Sequence, residues 1–214
     1  PAQVPENFRK AFGLSKCEIR VLEDPARIEA DVLIATDRGT VFPAAMAERV
    51  LRKFYFVQDY ESLFYEAGSV SVLTDYTYQL GFFPITAGVW LKYFLKMHHD
   101  IDAEAFDLAC DHNIYNAKNK IEPNKQSVVF YARDSTPRRC VELGLMALEI
   151  LKNRMPDVQV ILFGIGTRGL KLPFKAEIHG IIPPAQIAAL YSRSSVGLSL
   201  SATTHSLIPN EMMA

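Results

Sequence analysis

The chain reads as an α/β protein built on parallel sheets and divided into two domains. Three features of the sequence predict this. Short apolar runs alternate with stretches of helical period, the pattern of strands joined by covering helices. The run Asp31-Val-Leu-Ile-Ala35 is almost wholly apolar, as expected of a strand buried on both faces. A polar, proline-bearing stretch over residues 116–125 separates two such series and reads as a linker. The expected division is a first domain over 1–115, a linker over 116–126 and a second domain over 127–214.

In the first series, strands are expected near residues 18–22, 30–35 and 54–58, and helices near 43–53 and 71–80. An apolar run at 82–87 leads into a helix at 89–97, with a short extended piece near 106–109. The second series is more regular. Residues 128–131 form a strand. Residues 137–153 form a helix with Val141, Leu145, Leu148 and Leu151 on one side. Strands follow at 158–163 and 176–178, a short helix at 184–193, a strand at 196–200 and a helix starting near Pro209. Glu211-Met-Met at the end reads as the first turn of that helix, so both domains are expected to be incomplete at the chain ends.

The bulk numbers restrict function. Apolar residues make up 49% of 214 and charged residues 22%, values of an ordinary globular protein rather than a disordered one. Lys and Arg number 23 against 24 Asp and Glu, so no basic excess exists for general nucleic-acid binding. Cys17, Cys110 and Cys140 are an odd set without short spacing, which speaks against a disulfide framework or a zinc site and fits a reducing compartment. No apolar run approaches the roughly 20 residues needed to span a bilayer.

In parallel sheets, ligands bind beyond the carboxyl ends of the strands. That singles out three loops of the second series, residues 132–136, 164–168 and 201–210. The first reads Arg133-Asp-Ser-Thr136-Pro-Arg138-Arg139. Thr136 is a natural N-cap and proline suits the first helical position, so the N–H groups of the turn would face an anion. Arg138 and Arg139 there oppose the helix dipole, a placement an anion would complete. Arg133 reaches the same point, and guanidinium matches phosphate oxygens in pairs. The arginines also read as a solvated basic turn paired to Asp134 or Glu142. In the third loop, Glu211 stands where a carboxylate can accept the two hydroxyls of a ribose; it also reads as plain dipole stabilisation. Gly164-Ile-Gly166 lacks the third glycine of a dinucleotide fingerprint, because Gly169 is followed by Leu170, and reads as a tight turn.

In the first series, Asp59 and Glu61 follow an apolar strand. Either could bind acceptor hydroxyls or assist proton transfer, and Asp59 equally suits a helix cap. Asp100-Ile-Asp102 could hold a metal only at the end of a buried strand, and here it follows an amphipathic helix. His98 and His99 lack partners at metal spacing.

The ordered set in the second half resembles the carboxy-terminal domain of the GT-B glycosyltransferases. It comprises strand-Ala132-Arg133, the basic turn, 158–164, Ile178-His-Gly180-Ile-Ile, 187–200 and Pro209-Asn-Glu211-Met-Met-Ala214. Phe130-Tyr-Ala-Arg133 with Ser135-Thr-Pro-Arg-Arg139 is similar to rhamnosyltransferases of bacterial surface polysaccharides. So are Lys53-Phe-Tyr-Phe-Val-Gln-Asp59-Tyr-Glu61, Tyr78-Gln-Leu-Gly81 and Ile85-Thr-Ala-Gly88-Val-Trp90.

The resemblance implies two facing Rossmann-like domains and a retaining transfer of a sugar, such as L-rhamnose, from a nucleotide-diphosphate sugar to a glycan or lipid-linked glycan. It implies a cytoplasmic protein at the inner membrane face, with peripheral membrane association and no required metal or other cofactor. Carried over by position, Arg133, Arg138 and Arg139 hold the donor diphosphate, with Arg133 also catalytic. Glu211 binds the ribose, Gly164 and Ile181 lie beside the donor, and Asp59 is a catalytic-cleft residue. Thr203 stands where many members carry a further glutamate, and Ile181 where some carry lysine. Two other readings share these residues: a non-catalytic nucleotide-sugar-binding domain and a nucleotide-sugar epimerase.

Overall fold

The computed structural model describes residues 4–13, 16–119, 122, 126–166 and 171–214. Its strands form two separate four-stranded sheets, and every adjacent pair is parallel.

A short helix α1 (Val4–Phe12) precedes the first sheet, with Phe8 and Phe12 exposed and touching each other. The sheet contains β1 (Glu29–Ala35), β2 (Arg49–Val57), β3 (Phe83–Ala87) and β4 (Glu104–Phe106), in that spatial order. Between them run α2 (Arg38–Ala45), α3 (Ser69–Tyr76) and α4 (Val89–His99). The strand order never reverses, so crossovers of one hand bring the helices to one face. There Val41 and Ala44 of α2 and Leu91 and Leu95 of α4 bury Ala35, Tyr55 and Val57 of the strands.

Three expectations fail in this half. Residues 30–35 are not buried on both faces: Val32 and Ile34 are about half exposed, because the described helices pack on the opposite face. The expected helix over 43–53 ends at Ala45, and Arg49 to Lys53 are strand. The true helix start lies upstream, where the Asp37 carboxylate accepts the Thr40 N–H at 2.9 Å and the Thr40 hydroxyl accepts the Asp37 N–H at 3.0 Å. This reciprocal cap sets the helix early, and pairing with β1 draws Arg49 to Lys53 into the sheet despite their helical spacing. Residues 18–22 form no strand; Val21 and Leu22 stay exposed, and no neighbouring strand supplies a ladder.

Among its described residues the expected linker has a 3-10 turn at Ala117–Asn119; residues 120, 121 and 123–125 lie outside them.

The second sheet contains β5 (Ser127–Tyr131), β6 (Gln159–Phe163), β7 (Glu177–His179) and β8 (Val196–Leu198). Its helices are α5 (Val141–Arg154), α6 (Pro184–Ser192) and α7 (Ile208–Met213). The order is β7-β6-β5-β8, so the chain steps outward from β5 in one direction and returns to its other side with β8. That reversal opens a crevice beyond the carboxyl ends of β5 and β8. Alternate residues serve the two faces. Phe130, Val160 and Leu162 pack with Val141 and Leu148 of α5; Val129, Ile161 and Phe163 pack with Leu190 of α6 and Met212 of α7.

The expected helix over 137–153 is broken. Pro137–Arg139 form one 3-10 turn, Cys140 is left-handed at φ 49°, and α5 starts only at Val141. α5 packs closely on β5: a Cβ at Gly144 would stand 2.1 Å from the Phe130 ring. Thr136 makes no side-chain cap bond. Arg138 and Arg139 therefore stand on a 3-10 turn ahead of α5 rather than in its first turn.

Candidate functional site

The carboxyl ends of the two sheets meet across a cavity of about 970 Å³. Its first wall is built from the loops after β1 and β2. Tyr60 fixes the second of these. Its ring stacks on Tyr78 at 5.2 Å, and its hydroxyl meets His99 Nε2 at 2.8 Å and the Asp75 carboxylate. Burial, with Asp75 alongside, pushes the Tyr60 phenol up to about 12. With Tyr60 held in the core, its neighbours Asp59 and Glu61 line the cavity, each only 6% exposed.

Asp59 is fully engaged. It accepts the Tyr60 N–H at 2.8 Å, the Thr203 hydroxyl at 2.8 Å and the Thr204 N–H at 3.2 Å, and Arg138 Nε lies 3.8 Å away. The carboxylate thus joins the β2 loop to the loop after β8. Glu61 accepts the Arg38 N–H, the first of α2, at 2.9 Å. Burial pushes its carboxyl above the usual carboxylate range, partly opposed by that hydrogen bond.

The facing wall carries Arg138 and Arg139. Arg138 stacks over the Phe64 ring at 3.9 Å. Its backbone carbonyl accepts the Ala202 N–H at 2.8 Å, so the loops after β5 and β8 are tied together at the crevice. Arg138 Nε and Arg139 Nη1 are buried without a hydrogen-bond partner. Unpaired buried guanidinium N–H groups are costly, and an anion would satisfy them. Burial, reinforced by Arg138, lowers the Arg139 guanidinium below its ordinary value.

The structure brings Asp59, Arg138 and Arg139 into one cavity, with Thr203 bonded to Asp59 at its margin. Arg133 is exposed on the end of β5 and reaches Ser135 Oγ at 3.4 Å. Gly164 lies behind it at φ 81°, where a Cβ would come 2.8 Å from the Tyr131 ring. Ile181, 93% exposed, projects from the turn after β7. Glu211 lines a separate hollow of about 310 Å³ with Tyr115 and Tyr191. Burial raises its carboxyl and also the Tyr191 phenol.

Gly169 and residues 167–168 of the second loop lie outside the described residues. Asp100 and Asp102 both pair with Lys96, at 2.8 and 3.1 Å. Among the described residues no group of three or more His, Cys, Asp or Glu is placed to hold a metal ion, and no helix is long and apolar enough to cross a membrane. Sequence reasoning missed Arg38, Phe64 and Tyr65. The signal for Arg38 was legible in Asp37-Arg-Gly-Thr40, a helix cap directly after an apolar strand.

Residues 126–214 match the family described as WsaF, C-terminal domain. The chain is 34% identical over 209 residues to the O-antigen biosynthesis protein RfbC of Myxococcus xanthus, covering 92% of this chain and 16% of that protein. It is similar in fold to the crystal structure of TarM, with a TM-score of 0.66 at 14% identity over 85% of this chain and 39% of that one. The chain therefore spans a small fraction of the curated relative it matches.

Proposed function

We propose that this chain, glycosyltransferase-like and similar to an O-antigen biosynthesis protein, is the GT-B glycosyl-transfer unit of a polysaccharide-building protein. It takes a sugar from a nucleotide-diphosphate donor and passes it to a hydroxyl of a glycan or lipid-linked glycan. The second sheet with its helices is the donor domain and the first the acceptor domain. The finer reading is a retaining transfer of L-rhamnose without a required metal, in the cytoplasm at the inner membrane face.

The observation that carries the proposal is the pair of buried guanidinium N–H groups of Arg138 and Arg139 that make no hydrogen bond at the β5–β8 crevice. Fixed positive charge at that point stabilises the negative charge that develops on a departing diphosphate. Arg133, exposed past the end of β5, adds a third guanidinium, and Glu211 in its separate hollow supplies the carboxylate for a ribose. The test is calorimetric titration with UDP and dTDP. Arg139→Ala is expected to weaken binding by roughly tenfold or more, the worth of a charge-assisted hydrogen bond. Unchanged affinity would remove the arginine pair from the donor site.

One observation favours a second reading, a nucleotide-sugar-binding domain without transfer. The Asp59 carboxylate is already committed to Tyr60, Thr203 and Thr204 and is poorly placed to serve as a base. Donor binding without hydrolysis or transfer to an added glycan would support it.

A further inference from the structure

We propose that Glu61 is the carboxylate that receives the acceptor, taking a hydrogen bond from a hydroxyl of a pyranoside whose ring lies against the Phe56–Phe106 wall of the cavity. The proposal rests on the glycosyl-transfer reading for the role of that pyranoside, and its binding is measurable without a donor.

The assignment follows from what each polar group of the first wall is already doing. Asp59 accepts three hydrogen bonds and faces Arg138. The Arg38 guanidinium stacks on Tyr65 at 4.8 Å and donates to its hydroxyl at 2.8 Å. Glu61 holds one backbone N–H with Oε2 and has the buried Tyr55 hydroxyl close by, whereas a carboxylate offers about four lone-pair sites. It is almost wholly buried and lines the cavity, so a hydroxyl donor is the ligand suited to its remaining lone pairs.

The apolar side of the same wall has the complementary form. Phe56 and Phe106 stack on one another at 5.1 Å with their planes 15° apart, and both line the cavity, so the pair borders it with its outer ring surfaces. A pyranose presents C–H groups on its ring faces and hydroxyls at its edge. Against this wall it can bury the former on the aromatic faces and turn the latter to Glu61. A cavity of about 970 Å³ leaves room for this ring beside the groups held by Arg138 and Arg139.

A purely structural role for Glu61, capping α2 through the Arg38 N–H, is separable from this. Glu61→Gln keeps an amide oxygen for that N–H and removes the charge. Solution NMR titration of the chain with methyl α-D-glucopyranoside, and with its tetra-O-methyl derivative, reads the amides of Arg38 and Glu61. The free pyranoside is expected to shift both amides and to bind about fivefold more weakly to Glu61→Gln, the loss from a charged to a neutral acceptor. The tetra-O-methyl compound, which donates no hydrogen bond, is expected to bind weakly and equally to both proteins.

Absent shifts at these two amides, or equal affinity of the free pyranoside for both proteins, overturns the proposal. If Glu61→Gln does not fold, the contrast between the two sugars on the unaltered chain decides, and equal binding of both overturns it. UDP titration of the same samples separates the two claims. Lost UDP binding with intact pyranoside binding fails the donor reading alone, and the converse fails this one.

Discussion

At the scale of single residues, close contacts and buried charge make opposite demands. Gly144 lies mid-helix, where alanine would ordinarily be better by about 1 kcal/mol. Here its Cβ would fall 2.1 Å from Phe130, within a ring that is fully buried. Overpacking of that kind costs about 1–3 kcal/mol and outweighs the helix gain. Gly144→Ala is expected to lower the melting temperature by a few degrees, and Phe130→Leu in the same chain to restore part of it. An unchanged melting temperature in the single variant would refute the close approach. Glu211 makes the other demand. Burial raises its carboxyl in the folded chain, so its contribution favours folding at pH below its unfolded value, near 4.5, and is lost as pH climbs through the raised folded value. Glu211→Gln should therefore lose less stability than the parent between pH 4.5 and pH 7, measured by thermal unfolding at each pH. A parallel loss in both would mean the carboxylate is solvated.

At the scale of elements, what the sequence made legible depended on whether neighbours agreed with local pattern. The strands at β5 and β6 and the helical face of Val141 and Leu148 were readable because apolar period and burial coincide there. The stretch 49–53 was not, since its spacing suits a helix and only pairing with β1 makes it strand. The site divided the same way. Asp59, Arg138 and Arg139 were found as polar groups at strand ends, but their bonding was not, because Thr203 and Thr204 lie 144 and 145 positions away in the chain. The break before α5 was also hidden, because no glycine or proline between Pro137 and Val141 marks it. Cys140 bears the consequence, a left-handed conformation that costs a residue with a side chain about 1–2 kcal/mol. Glycine escapes that cost and loses about 0.4–1 kcal/mol to a more flexible unfolded chain. Cys140→Gly is thus expected to raise the melting temperature slightly. A marked fall would show that the thiol, which reaches the Arg138 carbonyl at 3.5 Å, matters more than the backbone.

At the scale of the whole molecule, Asp59 is the centre of the polar contacts between the two sheets among the described residues. Besides its bonds to Thr203 and Thr204, the described junction has Asn210 donating to the Leu108 carbonyl at 2.9 Å and Arg138 stacked on Phe64. Asp59→Ala removes at once the acceptor of the half-buried Thr203 hydroxyl and Thr204 N–H and the carboxylate that faces Arg138. Losing these contacts together should open the junction before either core melts. Asp59→Asn is expected to be milder, because its amide oxygen can still accept the Thr204 N–H. Hydrogen exchange gives the decisive reading. In Asp59→Ala the amides of residues 201–207 and 58–61 should exchange much faster, while those of β5 and β6, buried in their own core, keep their protection. Uniform acceleration across both sheets would mean that Asp59 supports the fold at large, and no acceleration at 201–207 would mean that the two sheets are held together elsewhere.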